Sequence, residues 1–340
     1  MRPPLAEVLK WPPQGYADTQ ALAAALRDLQ AAGWGELPLP GSGRTLDRWR
    51  ALAAVGGHDL GLCKLYEGHT DALAIMAELG APDVPEGSTW GTWAAEPPNV
   101  RLSVRRQGQV ALLDGRKAWC SGASAVSHAL VTCWDDNGEQ QLVSVALGQP
   151  GVTVTGAGWN AVGMAATASV EVVFENAQGQ FVGEPGQYIE RPGFWQGGIG
   201  IAACWLGAAQ YLASALHAGC HARAEPHALA HLGSVDAALH SAACVLREAA
   251  VAIDQSPSQD AQLLARRARA VVEDCVETVI RHTGRALGAG PYCKNAHFAR
   301  LVADLPVFVR QSHAERDLAA LGQLAATESA PTKDAWPWPL

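Results

Sequence analysis

An α+β architecture in three successive parts is predicted by the way hydrophobic periodicity changes along this 340-residue chain. Apolar residues recur every three or four positions up to about residue 85, every two from about 88 to 185, and every three or four again from about 193 to 328. The first spacing puts side chains on one face of a helix and the second on one face of a strand. Short strands without intervening helices favour an antiparallel β-barrel or sandwich over a parallel Rossmann sheet. The expected layout is an N-terminal helical domain over 1–86, a central β domain over 87–190, a C-terminal four-helix bundle over 191–327 and a flexible Pro/Trp tail over 328–340.

In the first part, residues 21–29 are Ala/Leu-rich, the Gly/Pro-rich run 34–43 is loop, and 46–54 and 60–79 resume helical spacing. Gly80 is placed to cap that last helix, since glycine takes the left-handed conformation a C-cap needs. Tyr66-Glu-Gly-His69 is expected on the surface of this helix, with a pocket lining as the alternative. In the second part, Val100, Leu102 and Val104 alternate with polar neighbours, as do Val110 and Leu112, and Asp114-Gly115 follows as a turn signal. Residues 129–134 and 141–147 flank Asp135-Asp-Asn-Gly138, a hairpin signature. Residues 152–154 and 170–174 supply further strands.

The third part opens with 199–216, rich in glycine and alanine, which let helices approach closely. Leu239, Ala242, Leu246, Ala250 and Ile253 form one apolar stripe; Leu264, Ala268, Val272, Cys275 and Val279 form the next. Ser256-Pro-Ser258 separates them. A last helix over 305–324 would complete the bundle.

Composition excludes several classes of partner. The net charge of −8 argues against nucleic acid, which needs a concentrated positive face. The eight cysteines are scattered singly without a C-x-x-C pair, as in a reducing, cytoplasmic compartment, and no structural zinc is expected. The N-terminus lacks the apolar core of a signal peptide. No uninterrupted apolar run approaches the ~18 residues of a membrane span, because Gly207, Gln210 and Ser214 break the longest.

Local motifs sharpen the picture. Gly115-Arg-Lys-Ala-Trp-Cys-Ser-Gly-Ala123 resembles the G-x-K-x-W-I-T-N barrel motif of the acyl-CoA dehydrogenase family. Ala94-Ala-Glu-Pro97 resembles its T-E-P segment, and Gly163-Met164 with Thr167, Ser169 and 170–174 its G-x-x-x-S-x-T-x-x-V-x-F strand. Ala202-Ala203 with Gly207, Ala208 and Gln210 is similar to the first bundle helix. Gly288-Ala-Gly-Pro-Tyr292, followed by Arg300 and Asp304, resembles the closing signature. The matches run in family order from about residue 35 to 324.

The resemblance implies bound FAD. Trp119 would pack beside the isoalloxazine ring, and Ser121 would keep the hydroxyl of a threonine that bonds the N5 edge. Ala95 replaces the T-E-P threonine, where backbone N–H groups serve the flavin. Arg223 stands where the family places an arginine on the pyrophosphate of a neighbouring subunit, a bidentate role suited to guanidinium. Arg285 stands where glutamine is usual, and Gly288 and Gly290 would let backbone approach the cofactor. A cofactor shared in this way implies a homo-oligomer, dimer or tetramer.

Dehydrogenation of an acyl thioester needs a carboxylate base at the α-proton. The two positions where the family keeps it hold Ser312 and Gly197. His313 and Glu315 are the nearest substitutes; the alternative is that Glu315, Arg316 and Asp317 form a solvated charged face. A histidine in this segment is also similar to the flavin-dependent monooxygenases of the same fold, which oxidise dibenzothiophene or nitrososugars and need no α-proton base. Three functions follow from the resemblance. One is a dehydrogenase with a displaced base and an electron-transfer partner. The second is a monooxygenase served by a flavin reductase. The third is a non-catalytic binding protein. The N-terminal helices that wall the substrate pocket are shorter than is typical of the family, which leaves the small-molecule substrate open.

Overall fold

The computed structural model describes residues 2–12, 15–81 and 84–327, so the tail at 328–340 lies outside the described residues. Among the described residues four helices come first: α1 (Leu5–Val8), α2 (Thr19–Ala31), α3 (Thr45–His58) and α4 (Leu60–Glu78). Aspartates start two of them. Asp18 accepts from Ala21 N at 2.9 Å and Asp59 from Leu62 N at 2.7 Å, each satisfying an orphan donor of the first turn. Gly80 follows α4 with φ +64°, as its capping role requires. The expectation of a helix surface at Tyr66, Glu67, Gly68 and His69 is corrected, because all four are buried between the barrel and the other helices.

Seven strands follow: β1 (Trp90–Trp93), β2 (Leu102–Gln107), β3 (Val110–Cys120), β4 (His128–Trp134), β5 (Gln140–Ala146), β6 (Val152–Val154) and β7 (Val170–Phe181). They close into a barrel in the order β4-β2-β3-β7-β5 and back to β4, with β1 lying along β4 and β6 along β7. Most pairings are antiparallel, but β1 and the start of β2 run parallel to β4, which differs from the antiparallel expectation. The hairpin at 135–138 forms as read: Asp135 Oδ1 accepts from Asn137 N and Glu139 N, both at 2.9 Å. Asp114-Gly115 is not a turn. Strand β3 passes straight through it with a bulge, Gly115 at φ +120°, and the reversal instead falls at Gly108, φ +63°.

The remaining helices are α5 (Gln187–Glu190), α6 (Pro192–Ala222), α7 (Pro226–Gln255), α8 (Gln262–Leu287), α9 (Gly290–Lys294), α10 (Ala296–Phe308) and α11 (Glu315–Thr327). Helix α6 is the axis, packed on α3, α7 and α8. Its contact with α3 is backbone to backbone: a Cβ on Gly207 would sit 1.9 Å from the carbonyl oxygen of Ala53. By composition α6 and α7 are each long and apolar enough to cross a membrane, which the run-length reading did not anticipate. Helix α6 is largely buried in the core, whereas α7 fully buries only Val235, Ala242, Leu246, Ala249, Ala250 and Ile253, with Leu232, Leu239 and Val245 partly buried beside them.

The single helix expected over 305–324 is two. Pro306 removes a backbone donor from the last turns of α10, and the chain tightens to a 3₁₀ turn at Val309–Gln311. It then runs extended at Ser312 and left-handed at Ala314, φ +47°, before α11 begins. That break gives Ser312-His313-Ala314 their place in the site.

Candidate active site

A cavity of about 350 Å³ lies among α4, the start of α6, α8 and the 311–318 segment. Gly197 and Ser312, far apart in sequence, both line it. One arginine ties their two segments together: Arg269 on α8 donates to the carbonyl of Gly198 at 2.7 Å and to that of Gln311 at 3.1 Å. Ser312 is buried, and its hydroxyl accepts from Ala314 N at 3.1 Å.

His313 also lines the cavity. Its backbone N donates to Asp317 Oδ2 at 3.0 Å, and its Nδ1 lies 3.7 Å from the same oxygen. Asp317 in turn pairs with Arg266 at 3.1 Å, so the imidazole stands on a fixed acid-arginine support. Glu315 is exposed on the first turn of α11 and does not line the cavity. The cavity's own carboxylates are engaged elsewhere: Asp71 pairs with Arg48 at 2.6 Å and Glu273 with Arg310 at 2.8 Å.

Thr92 on β1 lines this cavity and also a narrow cleft at the barrel, formed with Gly68, Trp93 and Ser121. There Ser121 Oγ lies 2.8 Å from Ser169 Oγ, which lies 2.8 Å from Thr167 Oγ1, a buried row of hydroxyls ending on the carbonyl of Met164. Trp119, two residues from Ser121, is held at φ +55°, and the residue is 52% exposed. A bulky residue on left-handed backbone is strained, and an exposed indole forgoes burial. A flat ring stacked on it would recover that burial, so these residues fit an isoalloxazine.

Lys117 supports this face from beneath. It is buried, bonded to Glu96 Oε1 at 2.5 Å and to the carbonyl and hydroxyl of Thr132 at 2.7 Å. Burial lowers its pKa, and Glu96 opposes that shift. Glu96 also accepts from Trp134 Nε1 at 3.1 Å, which anchors the 94–97 segment carrying Ala95 against β3 and β4. The closing motif meets the strand motif in the same manner, Asp304 Oδ1 accepting from Met164 N at 2.5 Å.

The other predicted cofactor residues lie elsewhere. Arg223 caps α6, and Arg285, Gly288 and Gly290 close α8 and open α9; all four are exposed. A Cβ on Gly219 would meet Leu287 at 3.3 Å, so the two helix ends adjoin. From Gly197 to Arg223 the helix advances about 39 Å at 1.5 Å per residue, so this group is remote from the cavity of its own chain. Sequence reasoning missed Arg269, Arg266, Trp195, Asp71 and Thr92. The apolar stripe of α8 leaves its arginines on other faces, and only the position of α11 shows which of them turn inward.

No protein-family model and no curated protein matches the sequence. Solved structures do match the fold. FMN-bound TdsC, the dibenzothiophene monooxygenase of Paenibacillus sp. A11-2, gives a TM-score of 0.76 at 18% identity, over 92% of this chain and 97% of that one. Methanesulfinate monooxygenase MsuC of Pseudomonas fluorescens gives 0.74 at 18% identity, over 95% and 99%. Nitrososynthase of Micromonospora carbonacea var. africana gives 0.77 at 18% identity, over 94% of each chain. The chain thus has the α+β, barrel-and-helix architecture of the acyl-CoA dehydrogenase-like fold. The family resemblance read from the motifs holds at the level of that fold.

Proposed function

We propose that this protein is a flavin-dependent monooxygenase that acts on a small molecule in the 350 Å³ cavity. The observation that carries the reading is the chemistry of that cavity. Gly197 and Ser312 stand at the two family base positions, every carboxylate lining it is held by an arginine, and an imidazole is presented instead. The family's base for an α-proton is a carboxylate tuned by burial, and no carboxylate free of an arginine is present among the described lining residues. The solved neighbours point the same way, since three of them are named as monooxygenases or a nitrososynthase. FMN is preferred to FAD on the same ground, TdsC having been solved with FMN.

The bound reduced flavin would supply the electrons with which O₂ is activated, received from a separate reductase. The chain's own part is to hold and to shield. Trp119 and the Ser121 hydroxyl take the ring, Thr92 joins ring and cavity, and His313, steadied by Asp317, holds or returns a proton beside the substrate. The open Arg223 end of α6 supports pairing with a second copy, as do Leu229 and Val251, exposed on α7.

The test is an anaerobic absorbance titration with FMN and FAD, followed by a panel of acyl-CoA thioesters and then by chemical reduction and mixing with O₂. The expected result is reversible FMN binding, no bleaching by any thioester, and reoxidation kinetics altered by the protein. Bleaching of oxidised flavin by a thioester would replace this reading with dehydrogenation. Absence of any flavin binding would leave a binding protein.

A further inference from the structure

The arginines of the cavity are not equivalent. Arg191 pairs with Glu78 at 2.7 Å and Arg266 with Asp317 at 3.1 Å, while Asp71 and Glu273 have Arg48 and Arg310. Among the described lining arginines, only Arg269 makes no direct ion pair, Asp317 and Glu273 acting on it at longer range. It meets two carbonyl oxygens, and its guanidinium stacks over Trp205 with its carbon 4.8 Å from the ring centroid. Those contacts fix the plane of the group without supplying negative charge. Five N–H donors project from a guanidinium and two are used here, which leaves donors for the cavity. Burial pushes the Arg269 pKa down, and Asp317 and Glu273 oppose that shift from beyond ion-pair distance. A buried charge is costly unless a counter-charge reaches it.

Between the arginine-paired carboxylates, part of the wall is apolar. Tyr188, Phe194 and Trp195 stand edge to face, with ring centroids 5.5 and 5.2 Å apart, and Ile75 and Ile201 add aliphatic surface. The volume lies near the small end of the roughly 300–1,000 Å³ typical of small-molecule sites.

We propose that the cavity binds a small aromatic acid, its ring against the apolar wall and its carboxylate on the N–H groups of Arg269 that Gly198 and Gln311 leave unused. Arg266, one helical turn earlier on α8, adds positive potential, and a guanidinium fork matches a carboxylate in geometry. The acid's role as the molecule oxidised rests on the monooxygenase reading above. Its binding requires no flavin.

The experiment is ¹⁹F NMR titration of the full chain, without flavin and again with FMN, using 4-fluorophenylacetate and its neutral counterpart 4-fluorophenylacetamide. The acid is expected to bind at least about ten-fold more tightly than the amide, by an amount that shrinks with added salt. Arg269→Gln abolishes that preference without weakening the amide, and Arg269→Lys retains part of it. Because Arg269 also ties two segments together, Gly197→Leu serves as a second variant. It fills the cavity without touching the arginine, and acid binding is lost. Equal affinities for acid and amide, no acid binding at all, or acid binding that survives Gly197→Leu would overturn the proposal. Acid preference without FMN binding would keep it while removing the flavin reading; FMN binding without acid preference would do the reverse.

Discussion

The two ends of the α6–α8 pair are built differently. At one end Arg269 ties the start of α6 to the 311–318 segment, and ion pairs, a cavity and an adjoining row of barrel hydroxyls form a constellation complete within one chain. At the other end Arg223, Arg285, Gly288 and Gly290 are exposed, and a Cβ on either glycine would meet nothing. Buried polar groups without partners are costly, so the near end had to be finished internally. The far end, exposed to water, is under no such demand. Substitutions at the near end should therefore register in the isolated chain, and those at the far end only through a partner or a ligand.

The largest effect is expected beneath the barrel face. Lys117→Met leaves Glu96 without its cation, and loss of one member of such a buried pair costs about 3 kcal/mol, the low end of the range because Glu96 keeps Thr132 and Trp134. Urea unfolding measures it directly. A loss under ~1 kcal/mol would mean that the near end is not held together by this network. His313→Ala comes next. A positioned proton-transfer group contributes about 100-fold or more to a rate, so oxygenation should fall by that factor while the melting temperature and FMN affinity stay unchanged. An unaltered rate would move the chemistry away from the 312–314 break.

A pH effect, about 2 kcal/mol by pH 5, ranks third. His69 accepts at Nδ1 from Trp90 N at 3.3 Å, and burial pushes its pKa down to about 4. The unfolded chain, with an ordinary histidine pKa near 6.5, therefore binds the proton that the folded chain refuses. Stability is full above pH ~6.5 and is lost progressively as the pH falls toward 4. Thermal melts of the protein and of His69→Gln across that window should converge at the acid end. Parallel curves would assign the acid sensitivity to His58, also pushed down to about 4 by burial.

Legibility in the sequence followed the same divide between local and assembled features. Helices and strands came from periodicity, and the 135–138 hairpin from its Asp and Gly, since each depends on neighbours along the chain. Asp114-Gly115 misled because the same dipeptide serves a turn or a bulge, and the choice belongs to Asn176 on β7, whose N–H donates to Asp114 Oδ1 at 2.8 Å. The positions of Gly197, Ser312 and His313 were readable through family motifs, but their meeting in one cavity depends on the break after Pro306. Arg269 was illegible. On α8 it looks like Arg266 and Arg267, and only the fold decides which of the three meets carbonyl oxygens in a cavity.

The smallest effect is expected from Arg223→Gln. The side chain is exposed at the C-cap of α6, so urea unfolding of dilute protein should change by no more than about 0.5 kcal/mol. The informative readout is flavin affinity as a function of protein concentration. If a second copy brings its Arg223 to the cofactor's phosphate, wild-type affinity rises as the chain associates, and Arg223→Gln removes that dependence. An affinity independent of concentration and of this substitution would make the near end sufficient by itself. The open space at Gly288 and Gly290 would then need another occupant than a flavin held between two chains.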